Sequence, residues 1–183
     1  MATVTCLSNV AVTAQFAMLA LLAKEVLELP DFGFGLLLTA TAVGSTAGGL
    51  AAAAASRRFG PGAVMLAGKA GVGVAILVLG LVADAWVAAA MMMATGALMT
   101  AEKVVVSTLR QRIVPEELLG RVLSASRMVV MIGGPAGAAL GGVLAGSFGV
   151  QVSFAVAGVF LILVALVFSP VLNNRALATA ASG

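Results

Sequence analysis

The sequence has no histidine, a single cysteine and few charged residues. Cys6 is the one cysteine among its 183 residues, so an intramolecular disulfide bond is excluded. The absence of histidine removes the commonest metal ligand and the usual proton carrier at neutral pH. Charged residues form 9% of the chain, whereas a soluble domain carries about 25%. The composition therefore excludes a large soluble domain and any histidine-based chemistry.

Apolar residues dominate what is present. They make up 62% of the chain, with a mean hydropathy of +1.17, against roughly 45–50% in soluble proteins. The chain is therefore an integral membrane protein whose first partner is the lipid bilayer. A net charge of +3 is compatible with nucleic-acid binding, but the Lys and Arg residues are scattered through the connections between apolar runs. We expect no nucleic-acid partner, and we interpret these residues as determinants of membrane topology.

Six apolar runs, rich in Ala and Leu, are each long enough to cross a membrane as a helix. They are residues 3–23, 33–55, 63–82, 86–108, 122–146 and 151–170. We predict an all-α membrane protein with one domain of six transmembrane helices over residues 1–172. Residues 173–183 form a short tail after this domain.

The basic residues predict the orientation of the six spans, because cytoplasmic connections carry an excess of Lys and Arg. On one side of the membrane, alternate connections and the tail collect Arg57, Arg58, Arg110, Arg112, Arg121 and Arg175. The other side has Lys24, offset by three acids, and Asp84 without a basic neighbour. We expect a multi-pass protein of the plasma (inner) membrane with both termini in the cytoplasm.

Four charged residues lie inside predicted spans and are the best candidates for chemistry. Lys69, Glu102, Lys103 and Arg127 are each five to seven residues from a predicted cytoplasmic helix end, which is about 7–10 Å at 1.5 Å per residue. A buried ion is costly unless it is paired, so Glu102 is expected to meet Arg127 or Lys69. Such a pair is either an inner gate or, since Glu102 is the one acid well inside a span, a proton-coupling site. For Lys69 and Lys103 we favour snorkelling, in which the ammonium reaches the membrane surface.

Small and polar residues suggest further roles. Asn9, Thr13 and Gln15 of the first span either line a cavity or bond to neighbouring helices. Arg110, Gln111, Arg112, Glu116, Glu117 and Arg121 are expected to form a cytoplasmic salt-bridge network, with Pro115 opening a short surface helix.

A row of glycines in the fifth span repeats mainly at four-residue spacing. It comprises Gly133, Gly137 and Gly141, with Gly142 and Gly146 on an adjoining line, and Gly44 and Gly48 form a shorter row in the second span. Such stripes let helix backbones approach closely. Close packing is the first interpretation of the row, and a bending helix is the second, because Pro135 beside Gly134 removes a backbone hydrogen bond near mid-membrane.

Three segments resemble motifs of the major facilitator superfamily, in the branch of bacterial exporters similar to the enterobactin exporter. LELPDFGFGLLLTATAVGSTAGG (Leu27 to Gly49) resembles the first outer loop and second helix of the C-terminal six-helix half. SRRFG (Ser56 to Gly60) resembles its short cytoplasmic loop, although Arg57 stands where that motif has an acid. RQRIVPEELLGRV, which includes Gly120 and Arg121, followed by GGPAGAALGG resembles the fourth cytoplasmic loop and fifth helix.

The resemblance implies a half bundle of six helices and export of small, partly apolar molecules driven by an ion gradient. It also implies that an N-terminal half is missing, so the chain is a fragment, pairs with such a half or pairs with a second copy of itself. The alternative is a truncated or accessory membrane protein without transport activity of its own. The sequence has no phosphate-binding loop of the form GxxxxGK[ST], no metal cluster and no paired-carboxylate site. We therefore predict no enzyme activity, no metal and no cofactor.

Overall fold

The structure is a computed structural model that describes residues 2–113, 116–167 and 169. Within these ranges the chain is helical almost throughout. The helices are α1 (Ala2–Leu21), which continues as a π-helical turn (Leu22–Val26), α2 (Asp31–Phe59), α3 (Pro61–Leu81), α4 (Ala85–Ile113), α5 (Glu116–Phe148) and α6 (Val150–Val167). Together with its apolar composition, this makes the chain an all-α membrane protein.

Short connections separate the helices, and local residue chemistry explains where each helix begins and ends. Gly60 alone joins α2 to α3 with a φ of 85°, a backbone conformation that glycine adopts without strain. Pro61 then opens α3, where its missing N–H has no cost. Asp84 caps α4, because its carboxylate accepts hydrogen bonds of 2.9 Å from the backbone N–H groups of Trp86 and Val87.

The tightest helix pair joins α2 to α4 through small residues. A side chain at Gly44 would overlap the backbone carbonyl of Met93, and one at Gly48 would overlap that of Ala97. The two contacts advance together along the chain, so α2 and α4 run parallel. The packing predicted for Gly44 and Gly48 is therefore confirmed, and only glycine leaves room for this approach.

The pair α1 and α5 repeats this arrangement. Gly137 packs against the backbone of Val10, and Gly141 packs against Ala14. Gly133 is also buried. The predicted packing role is wrong for Gly142 and for Gly146, since a side chain at either position would meet nothing within 4 Å.

The third pair joins α3 to α6 in opposite directions. Gly73 approaches Gly158 and Ile162, and Gly158 in turn approaches Gly73 and Leu77. These glycines carry no signal in the sequence, because they do not repeat at four-residue spacing. Around this contact, Ile76, Leu79, Phe154 and Leu161 form part of the largest buried apolar cluster.

The three pairs reveal an internal repeat. The main contacts are α1 with α5, α2 with α4 and α3 with α6, and α3 also packs on α4 as α6 packs on α1. Exchanging the first three helices with the last three reproduces the same set of contacts. Gln15 of α1 contacts Met92 of α4, whereas Ser8 is linked through Lys69 to Glu102, so α1 and α4 run in opposite directions. The two three-helix units are therefore inverted relative to each other. Inverted repeats of this kind are characteristic of secondary transporters.

Four helical segments of the described residues are long and apolar enough to span a membrane. They are Phe32–Phe59, Pro61–Leu81, Ala85–Leu109 and Val150–Val167. That α1 and α5 also span stays a prediction.

Several helices are longer than the apolar runs that predicted them. α2 continues to Phe59, α4 continues to Ile113, and α5 begins at Glu116, well before the predicted start at residue 122. The separate short surface helix predicted after Pro115 is therefore wrong, since its residues are the first turns of α5. Glu and Leu at these positions favour helix, and α5 continues through Pro135 to Phe148.

The glycine contacts predict which substitutions the fold tolerates. Gly48→Ala should destabilise the protein, because a methyl group there overlaps the Ala97 backbone and overpacking costs about 1–3 kcal/mol. Gly35→Ala is the matched control on the same helix, since a side chain there meets nothing within 4 Å. We expect thermal unfolding in detergent to show a lower midpoint for Gly48→Ala and an unchanged or higher midpoint for Gly35→Ala. Equal midpoints would contradict the proposed close approach.

Candidate functional site: a buried ion pair beside a cavity

A buried ion pair joins α3 to α4. The Lys69 ammonium lies 2.7 Å from a carboxylate oxygen of Glu102, and the two side chains are 6% and 17% exposed. The residue before the lysine makes this approach possible, because a side chain at Gly68 would lie 3.3 Å from the Glu102 Cβ. Burying either charge without its partner would be energetically costly, and the fold places the two together inside the bundle.

Ser8 of α1 extends the ion pair to a third helix. The Lys69 ammonium donates a hydrogen bond of 3.3 Å to the Ser8 hydroxyl. Two of the ammonium's three donors therefore have partners on different helices. The side-chain group links α1, α3 and α4 at the level of Ser8.

A cavity of about 110 Å³ lies beside this group. It is partly open and is bounded by residues of α1, α3, α4 and α6. Its lining consists of Ser8, Val12, Lys69, Val72, Met99, Glu102, Lys103 and Leu161. The site therefore combines an apolar wall with three charged groups.

A second polar level lies about two helical turns from the ion pair. Gln15 on α1 is 1% exposed, and its amide group donates a contact of 3.6 Å to the sulfur of Met92 on α4. The Gln15 side-chain oxygen and the hydroxyl of Thr95, also on α4, have no hydrogen-bond partner among the described residues. Ser8 and Gln15 share one face of α1, and Thr95 and Glu102 share one face of α4, as their seven-residue spacings require. α1 and α4 therefore both place polar side chains in the interior of the bundle, at two levels.

The structure corrects the expectation for one lysine. Lys69 is buried at 5% exposure and is paired with Glu102, so the snorkelling interpretation is wrong for it. The ion pair keeps the ammonium inside the bundle, where a carboxylate replaces its water. Lys103 is exposed, and it lines the same cavity as Lys69.

Other predicted site residues fall outside this group. Thr13 is half-buried and lies near Gly134 of α5, whose added side chain would be 3.9 Å from the Thr13 methyl group. Arg57 and Arg58 are exposed at the end of α2, and the Arg58 guanidinium lies 5.4 Å from the centroid of the Phe59 ring. Gly120 is exposed.

The side chains of several predicted residues lie outside the described residues. These are Asn9, Arg110, Arg112, Pro115, Glu116, Glu117, Arg121 and Arg127. The expected pairing of Arg127 and the expected cytoplasmic network stay predictions.

Ser8 and Val12 also line the cavity, although neither was predicted as a site residue. Their signal is the spacing of Ser8, Val12 and Gln15, which places all three on one face of a helix. Hydropathy alone does not reveal this shared face, because Val12 and Ser8 resemble ordinary residues of a membrane span. In the described part of the chain, no three acidic, histidine or cysteine side chains cluster as metal ligands would.

Comparison with protein families matches residues 1–181 to the model of the Major Facilitator Superfamily. The chain belongs to the Major Facilitator Superfamily. Comparisons with curated proteins and with solved structures return no match. This protein is accordingly a multi-pass membrane transporter, and members of the superfamily are generally not enzymes.

Membership of the superfamily explains the inverted three-helix units. In these transporters, units of three helices are nested within each six-helix half, and substrate and ion sites lie between helices near the membrane midplane. The Lys69–Glu102 pair and its cavity lie between helices of both units, because α3 belongs to the first unit and α4 to the second.

The ion pair predicts a characteristic pattern of stability changes. Lys69→Met should destabilise the protein by about 3 kcal/mol, since it leaves the Glu102 charge buried without its partner. The double variant Lys69→Met/Glu102→Leu should recover most of this loss, because neither charge remains. Lys103→Met is the matched control, and its exposed position predicts a change within about 0.5 kcal/mol. Thermal unfolding midpoints in detergent report the stability of all three variants. A double variant as unstable as Lys69→Met would contradict the pairing.

Proposed function

We propose that this chain is the C-terminal six-helix unit of a secondary transporter that exports small, partly apolar molecules by using an ion gradient. The observation that carries the proposal is a buried Lys69–Glu102 pair, 2.7 Å long, beside a cavity in a protein of the Major Facilitator Superfamily. Intramembrane ionisable groups are costly and usually mark ion or substrate pathways.

The ion pair acts as an inner gate whose state depends on a proton. With Glu102 ionised, the pair and the Ser8 hydrogen bond hold α1, α3 and α4 together. When the carboxylate takes up a proton, it loses its charge and the attraction to Lys69 weakens. The three helices can then separate at this level and open the cavity. Release of the proton restores the pair, so one proton is exchanged in each cycle.

The remaining candidate residues support this gate. Arg127 provides a second cation that can pair with Glu102, and Lys103 provides a cation at the cavity. Asn9, Thr13 and Gln15 contribute polar groups along the path, while Gly137, Gly141 and Pro135 let α5 pack and bend. Alternating access requires a second unit to move against, so the chain works with an N-terminal half or with a second copy of itself.

Transport by the full chain in proteoliposomes tests the function. The vesicles carry a pH gradient and an internal pH-sensitive dye, and a panel of small, partly apolar molecules is added. We expect at least one molecule to move protons with it. Glu102→Gln should abolish the proton movement, whereas Glu25→Gln, in the first connection, should not. No coupled movement with any molecule would exclude a transporter made of two copies of this chain, and unchanged coupling in Glu102→Gln would remove the proton role.

Orientation is part of the proposal, with both termini in the cytoplasm of a cell (plasma or inner) membrane. Two exposed positions test it, in a Cys6→Ser background. A membrane-impermeant maleimide should label Ala83→Cys in intact cells, because the connection after α3 is proposed to lie outside. Arg58→Cys should react only after the cells are permeabilised. The reverse labelling would overturn the orientation.

A further inference from the structure

The cavity beside the ion pair carries an unbalanced charge. Its lining includes two lysines, Lys69 and Lys103, and one acid, Glu102. The carboxylate is already engaged by Lys69 at 2.7 Å. Lys103 has no ion-pair partner among the described residues. The described lining therefore has an excess of one positive charge, which is located on Lys103.

The rest of the lining is apolar. Val12, Val72, Met99 and Leu161 approach from four different helices, and only the Ser8 hydroxyl adds a polar group. Ser8 already accepts a hydrogen bond from Lys69. A ligand here gains from burying a hydrocarbon body and from bringing one negative charge to Lys103.

We propose that this cavity binds a small organic carboxylate with a branched or compact apolar body. The carboxylate contacts the Lys103 ammonium, and the hydrocarbon lies against Val72, Met99 and Leu161. A volume of about 110 Å³ suits a body of a few carbon atoms, since a cavity of about 150 Å³ can accommodate benzene. An amine of the same shape is disfavoured, because it places a third cation beside two lysines.

The ion pair controls the affinity of this site. Glu102 lies beside the ligand's negative charge and repels it, while also neutralising Lys69. Removal of the Glu102 charge frees Lys69 to contact the ligand as well. The same event that opens the proposed gate therefore strengthens binding of the anion. As a statement about the transported substrate this rests on the proposed function, whereas binding itself can be measured without transport.

Three probes with one branched five-carbon skeleton test the charge preference. They are radiolabelled isovalerate, the corresponding amine (isopentylamine) and the corresponding alcohol (isopentanol), measured by equilibrium binding to the purified full chain in detergent. We expect saturable binding of isovalerate, with the amine and the alcohol at least tenfold weaker. Equal binding of the amine or of the alcohol, or no saturable binding of isovalerate, would overturn the proposal.

Charge variants test the assigned residues. Lys103→Gln should weaken isovalerate binding about tenfold, which corresponds to the loss of about 1.4 kcal/mol, and Lys103→Arg should retain it. Glu102→Gln should strengthen it severalfold. Lys24→Gln, in the first connection, is the matched control and should bind as the unmodified chain does. An unfolding midpoint for each variant identifies any that fail to fold. Unchanged affinity in a folded Lys103→Gln variant would disprove the site.

Two further measurements separate the alternatives. In nanodiscs, anionic phosphatidylglycerol would prevent isovalerate binding if a lipid headgroup were the true occupant, and this result would overturn the proposal for a soluble carboxylate. Binding of isovalerate without any coupled transport in vesicles would leave the site in place and exclude transport by two copies of this chain. Coupled transport of other molecules without isovalerate binding would support the proposed function and remove the proposed carboxylate site.

Discussion

Close approach of helix backbones is the constraint on which the rest of this structure depends. Within lipid there is no hydrophobic force to draw helices together, so association depends on packing and polar contacts. Here α2 meets α4, α1 meets α5 and α3 meets α6 at glycines whose side chains would overlap the partner backbone. These contacts fix the direction and register of each pair. They thereby fix which polar side chains can meet inside the bundle.

The ion pair follows from that register. Gly68 brings α3 against α4 where Glu102 approaches it, so Lys69 and Glu102 meet without either side chain having to reach far. Ser8 of α1 joins them by accepting a hydrogen bond from the Lys69 ammonium. Since two buried charges in lipid are stable only together, the glycine contacts and the ion pair support each other. The cavity is the space that remains between the helices that these contacts position.

The sequence predicted the helices well and their contacts only in part. Long apolar runs indicate helices because lipid requires every backbone group to be bonded within the segment. Hydropathy could not show that α5 begins at Glu116, since polar first turns lie outside the apolar signal. It also could not show that Lys69 points inward, because a lysine stem tolerates either lipid or protein around it. Gly142 lies in the glycine row but faces open space, and only the helix register distinguishes it from Gly141.

The inverted repeat places different chemistry at equivalent positions of its two units. Val10 meets Gly137 as Met93 meets Gly44, and Gly73 and Gly158 meet each other, so Val10 corresponds to Met93 and Gly73 to Gly158. At the same spacing along the helices, Leu19 takes the place of Glu102 and Phe154 takes the place of Lys69. Leu19 and Phe154 are fully buried in one apolar cluster. Apolar packing does not respond to protonation or to bound ions, whereas an ion pair responds to both. The helix contacts are thus symmetric while the chemistry is not, since an ion pair lies at one level of the bundle and apolar packing lies at the equivalent level of the other unit.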